Sequence, residues 1–181
     1  MSSVKATGIV RRIDHLGRVV IPKEVRRTLR IRVGDPLEIF VDRDGEVIFE
    51  KYSLIKELGD FAKEYAEALH KSLRQAILIC DRGEYIATAG VAKKDYANKP
   101  ISTVVERAIK DRQPVLNTSQ GNCTLINDAY EEVSSYAIVP INADGVAVGA
   151  IVIFSKTTTL TEVEMKSVES AANFLGKHME G

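Results

Sequence analysis

The run Lys5-Ala6-Thr7-Gly8-Ile9-Val10-Arg11-Arg12-Ile13-Asp14-His15-Leu16-Gly17-Arg18-Val19-Val20-Ile21-Pro22-Lys23-Glu24-Val25-Arg26-Arg27-Thr28-Leu29 sets the architecture of the first quarter of this 181-residue chain. Residues 5–14 are rich in β-branched side chains and alternate, which predicts a strand. His15-Leu16-Gly17 is a turn, because glycine takes positive φ without cost. Arg18 to Ile21 is a second short strand. Pro22 suits the first position of a helix, where a missing N–H is no loss, so a helix is expected over 22–30 with Val25 and Leu29 on its buried side and Arg26 and Arg27 elsewhere. Gly34-Asp35 closes this unit, and Leu37–Asp42 and Glu46–Lys51 read as strands joined by Asp44-Gly45, a strong hairpin signal.

Four short strands and one small helix in about fifty residues bury little surface and are marginal alone. No cysteine pair or metal site staples them. A dimer whose chains share one core is the simplest remedy.

Charge is as uneven as structure. The chain is formally neutral, yet residues 1–32 hold nine cations (Lys5, Arg11, Arg12, Arg18, Lys23, Arg26, Arg27, Arg30 and Arg32) against Asp14 and Glu24. The next twenty residues reverse the sign. A basic block beside an acidic one is the pattern of a polyanion-binding face or of a solvated charged surface. Guanidinium favours the first, since its planar fork pairs with phosphate or with guanine O6/N7.

Beyond residue 52 the pattern is different. Ser53 can cap a helix from Leu54 to about Leu73, with Leu54, Leu58, Phe61, Tyr65, Leu69 and Leu73 in one apolar stripe. The stripe either packs on the following domain or dimerises as a coiled-coil-like linker. Ala76–Cys80 and Tyr85–Ala89 are strands, and 101–111 is a helix with Val104, Val105, Ala108 and Ile109 inward. Pro114–Asn117 and Cys123–Ile126 are short. Ser135–Ile141 and Val146–Phe154 are clear strands. Thr161 and Glu164 form a capping box. The helix they open carries Met165, Val168, Ala172, Leu175 and Met179 at heptad spacing. This half reads as an antiparallel sheet flanked by helices, the first and last able to pair. The expected domains are 1–52, a linker or dimerisation helix 53–75, and 76–181.

Catalysis finds no support in the pattern. Phosphate-cradling glycine motifs are missing. His15, His70 and His178 are scattered without metal-site spacing, so no metal or cofactor is expected. Cys80 ends an apolar strand, Cys123 lies in a loop, and neither has a neighbouring cation to lower its pKa. There is no apolar run long enough for a membrane span and no secretory signal core, so a cytoplasmic protein is expected.

The strings Lys5 to Asp14, Leu16 to Pro22 and Glu24 to Leu29 closely resemble the AbrB-type DNA-binding domain. The two-part layout is similar to sporulation regulators that join this domain to a GAF-like one. The resemblance implies an α+β chain: an N-terminal swapped-hairpin β-barrel (dimeric), a helical linker, and a GAF-like antiparallel sheet flanked by helices. It implies a sequence-preferring transcription regulator, activator or repressor, of forespore genes, with double-stranded DNA as partner. Arg11, Arg18, Arg26 and Arg27 are the matching DNA contacts, with Arg12 and Lys23 added from charge. His15 stands where an acidic residue is expected. Dimers through the barrel would join into a tetramer through the C-terminal domain helices, with Leu58, Phe61, Tyr65, Leu69, Met165, Val168, Ala172 and Leu175 as the oligomerisation residues. The GAF-like domain either senses a small molecule or only oligomerises. Two other readings are an antitoxin-like protein-binding module, which shares this barrel, and a cysteine-dependent methionine sulfoxide reductase, which some GAF domains resemble.

Overall fold

The computed structural model describes residues 8–43, 45–53, 55, 59–126 and 129–180. It divides into two compact units, Met1–Tyr52 and Ser53–Gly181.

In the first unit, helix α1 (Lys23–Thr28) precedes a hairpin of β1 (Leu37–Val41) and β2 (Val47–Lys51), paired from Leu37↔Lys51 to Val41↔Val47. The expected hairpin is therefore present. Gly45 takes φ +84° at its turn, where the Asp42 carboxylate accepts the Glu46 N–H at 2.9 Å.

The two strands expected before the helix are not formed within one chain. Residues 8–14 and 18–21 carry no ladder. They meet at their turn, where Asp14 N–H donates to the Arg18 carbonyl at 3.0 Å. A β-rich segment becomes a strand only when another strand meets it. Residues 5–7 of the first expected strand lie outside the described residues.

The helix is also shorter than the expected 22–30. Pro22 caps it, with ψ 151°, instead of occupying its first position. Its end is a Schellman motif: Ile31 N–H donates to the Arg26 carbonyl at 2.8 Å and Arg30 N–H to the Arg27 carbonyl at 3.3 Å. Arg30 takes the left-handed position there, at φ 53°, which glycine would hold more easily. Val25 is only half-buried and Leu29 is exposed, so the expected buried side has nothing to bury against in a single chain.

The second unit is built on a five-stranded sheet in the order β4-β3-β9-β8-β5. Its strands are β3 (Ala76–Asp81), β4 (Tyr85–Ala89), β5 (Val115–Asn117), β8 (Ser135–Ala143) and β9 (Val146–Ser155), all antiparallel. Strands β6 (Gly121–Ile126) and β7 (Ala129–Val133) form a separate hairpin. The helices are α2 (Gly59–Leu73), α3 (Lys93–Tyr96), α4 (Thr103–Asp111) and α5 (Glu162–Met179).

Strand alternation sends side chains to both faces, and both are covered. Ile77, Ile79, Ile151 and Ile153 join Ala62 and Ala66 of α2 and Val168, Ala172 and Leu175 of α5 in one core. Leu78, Cys80, Val152 and Phe154 join Tyr96 of α3, Val105 and Ile109 of α4, and Leu125 of the separate hairpin in the other. Val104, expected inward, is exposed. Two glycines allow close approaches: a Cβ on Gly149 of β9 would lie 2.1 Å from the Cys80 carbonyl oxygen on the neighbouring β3, and one on Gly176 of α5 would lie 2.0 Å from the Asn142 carbonyl oxygen of β8.

Candidate nucleic-acid interface

All six candidate cations lie in the first unit. Arg11 and Arg12 occupy the extended segment before the turn and are exposed; without a ladder there, they do not stand on opposite faces of a sheet. Arg18 follows the turn. Lys23 opens α1, and Arg26 and Arg27 lie in its last turn. Arg27 is exposed and Arg26 is half-buried.

The turn is built by Asp14. One carboxylate oxygen, Oδ1, accepts the N–H groups of Leu16 and Arg18, each at 2.9 Å, and Oδ2 accepts Arg18 Nε at 2.8 Å. Gly17 N–H donates to the Asp14 carbonyl at 3.0 Å, and Gly17 takes φ +75°. A three-residue loop closed by a left-handed glycine is a common hairpin solution. The Arg18 backbone N–H, then its guanidinium, hold the Asp14 carboxyl below its ordinary range. Sequence reasoning treated Asp14 only as a stray negative charge. The signal was there in the tendency of Asp ahead of a turn to bond the backbone two residues on.

The other cations differ. Arg11 donates to its neighbour's carbonyl, Val10 O, at 3.3 Å. Among the described residues Arg12, Lys23, Arg26 and Arg27 form no ion pair, and Glu24 does not neutralise Arg27; its carbonyl takes the Thr28 hydroxyl instead.

No apolar residue among the described part of this unit is buried. Val10 is 85% exposed, Val20 70% and Val41 71%. Exposed apolar surface of this extent is more than single scattered side chains account for.

The expected oligomerisation residues of the second unit separate into two groups. Val168, Ala172 and Leu175 are fully buried in their own chain's core, with Met165 packed at its edge. Their heptad spacing therefore serves the sheet, not a second helix from another chain; an apolar stripe at this spacing suits either partner. Phe61, Tyr65 and Leu69 are only partly buried against that core. Helices α2 and α5 do meet side by side, through rings: Phe61 lies 4.8 Å from His178 and Tyr65 5.6 Å from Phe174, both stacked. Phe174 remains half-exposed. Leu58 and Leu54 lie outside the described residues.

The opposite face of the sheet is filled with aromatic rings. Tyr96 packs edge-on to Tyr85 at 6.4 Å and against Phe154 at 5.9 Å, and the Tyr85 hydroxyl donates to the Leu125 carbonyl at 2.7 Å. Cys80 is fully buried, its thiol donates to the Ala150 carbonyl, and burial pushes its pKa up. Among the described residues no cluster of His, Cys, Asp and Glu could hold a metal ion, and no helix is long and apolar enough to cross a membrane.

Residues 57–180 match the family described as Stage V sporulation protein T C-terminal, transcription factor. The chain belongs to the stage V sporulation protein T family. The stage V sporulation protein T of Bacillus subtilis (strain 168) is 62% identical to it over 98% of this chain and 99% of that protein. Residues 10–56, which contain all six candidate cations, match the family described as antidote-toxin recognition MazE, bacterial antitoxin. The transition state regulatory protein AbrB of the same organism is 61% identical over 27% of this chain and 50% of its own length. Among solved structures, the GAF domain of an Acinetobacter phosphoenolpyruvate-protein phosphotransferase covers 72% of this chain and 84% of itself, with a TM-score of 0.54 at 14% identity. Similarity at that identity is one of fold, so this member of the stage V sporulation protein T family joins an AbrB-like N-terminal segment to a unit of GAF fold.

Proposed function

We propose that this chain is a sequence-preferring, DNA-binding transcription regulator of forespore genes. The observation that carries the reading is the first unit itself: a cation-rich surface on which no described apolar residue is fully covered by one chain. Two chains that exchange segments 8–14 and 18–21 would complete one barrel and bury those residues. The same act doubles the arginine set and presents it with twofold symmetry to two half-sites. Arg11, Arg12, Lys23, Arg26 and Arg27 anchor to phosphate, and Arg18 reaches the bases. The ring face of α2 and α5, around Phe61, Tyr65 and Phe174, then joins dimers into a tetramer.

An antitoxin role fits less well. Past residue 52 this chain has a packed unit closed by an ordered helix, where a toxin-wrapping module would need an extended tail. A cysteine-dependent reductase also fits poorly, because the Cys80 thiol is buried and held protonated.

Fluorescence anisotropy of a labelled duplex across a salt series tests the reading. Intact protein should bind with a steep salt dependence. The Arg26→Ala/Arg27→Ala variant should bind more weakly, its slope reduced by about two if both contact phosphate, at about one per contact. Absence of binding by intact protein at low salt would sink the proposal.

A further inference from the structure

The six candidate cations are not equivalent, and the difference lies in one carboxylate. We propose that Asp14 is a positioning residue that makes Arg18 the base-reading arginine of the interface, while the other cations serve as phosphate anchors. The inference rests on the DNA-binding reading above and deepens it.

Asp14 grips Arg18 at both ends. Its Oδ1 holds the Arg18 backbone N–H at 2.9 Å and its Oδ2 holds Nε at 2.8 Å, while Asp14 N–H donates to the Arg18 carbonyl at 3.0 Å. The main chain and the side chain of Arg18 are thus referred to the same group. With Nε engaged, the plane of the guanidinium is set, and its two terminal amino groups remain available on a side chain 68% exposed. Bidentate reading of guanine O6 and N7 needs two parallel N–H groups held in a fixed plane. Freezing that plane before DNA arrives removes the ordering cost that a free arginine meets on binding.

The same contact weakens Arg18 as an anchor. Beside a carboxylate, the pair is neutral overall and releases fewer counterions when it meets a phosphate. Among the described residues Arg12, Lys23, Arg26 and Arg27 form no ion pair with a carboxylate, and Arg11 touches a backbone carbonyl. Phosphate contact rewards charge and tolerates loose geometry; base contact rewards geometry. The low pKa of Asp14 keeps the carboxylate charged throughout the neutral range.

The test uses the full chain, a duplex selected by intact protein from a randomised pool, and a scrambled duplex of equal length, titrated over a salt series. Asp14→Asn retains an Oδ1 able to accept the Leu16 and Arg18 N–H groups but loses the negative charge that holds the Arg18 guanidinium. Discrimination between the duplexes should fall about tenfold, the scale of one lost bidentate base contact. Affinity for the scrambled duplex should rise, and its salt slope should steepen by up to about one as the released guanidinium pairs with phosphate. Arg18→Lys should lose the same discrimination, and the double variant should be no worse than Arg18→Lys alone. A purely structural role for Asp14 would weaken both duplexes in proportion; that result, or unchanged discrimination in an Asp14→Asn protein that melts as intact protein does, overturns the inference. Failure of intact protein to bind or to discriminate overturns the DNA-binding reading beneath it.

Discussion

Apolar residues are about as frequent in the first 52 positions as in the remainder, yet the two units use them in opposite ways. In the second, strand alternation feeds two cores, and Ile77, Leu78, Ile79, Ile151 and Ile153 are all fully buried. In the first, no described apolar residue is buried. Burial is worth about 25 cal/mol per Å² of apolar surface, and it must offset an ordering cost of about 1–2 kcal/mol per residue. A unit in which no described apolar side chain is fully covered has little such offset within one chain. Size explains the contrast: covering both faces of a sheet takes additional elements, and only the longer unit has chain enough to supply them.

The largest expected effect breaks the comparison directly. A fragment of residues 1–52 should show a melting temperature that falls steadily over a hundredfold dilution, because its core forms between chains. A fragment of residues 53–181 should keep a cooperative transition at dilutions that unfold the first. A concentration-independent melt of a monomeric 1–52 fragment would remove the reason for proposing a shared core.

Within the second unit, Leu175→Ala should cost about 2–5 kcal/mol in denaturant unfolding, the range for deleting a buried leucine side chain. Leu175 is fully buried within its own chain, so the loss should not depend on protein concentration. A loss that grew on dilution would return the α5 seam to an interface between chains.

The smallest effect concerns the start of α5. Thr161 donates its hydroxyl and its N–H to Glu164, which draws the Glu164 carboxyl below its ordinary value of 4.5, the hydroxyl contributing most. A lowered folded-state pKa adds stability that is present above the unfolded value and lost as pH falls through the folded one. Glu164→Ala should therefore cost about 1 kcal/mol at neutral pH, as lost caps do. The difference from intact protein should shrink as pH drops below 4.5 and through the folded-state pKa. An unchanged difference at acid pH would mean that the side chain packs and does not cap.

Local signals were readable wherever the partner of a residue lies close along the chain. Asp42 to Glu46, the strands 76–81 and 85–89, the long hairpin 135–155 and the Thr161–Glu164 box are all of this kind. The arginine segment and its likeness to AbrB were readable for the same reason, as a short contiguous string. The stripe of Val168, Ala172 and Leu175 was visible but its partner was not, because a sheet and a helix accept the same spacing. Segments 8–14 and 18–21 carry side chains that suit a pleated surface, although neither is a strand within one chain.

The sequence by itself determined the charge of the first unit, the family, the hairpins and the cap, since each depends on residue type over a few positions. Only the tertiary structure decided that β3 lies beside β9, nearly seventy residues away, that the apolar stripe of α5 packs on its own sheet, and that one of the six candidate cations is held by a carboxylate. Those outcomes depend on which surfaces meet in space, and neither periodicity nor composition carries that distance information.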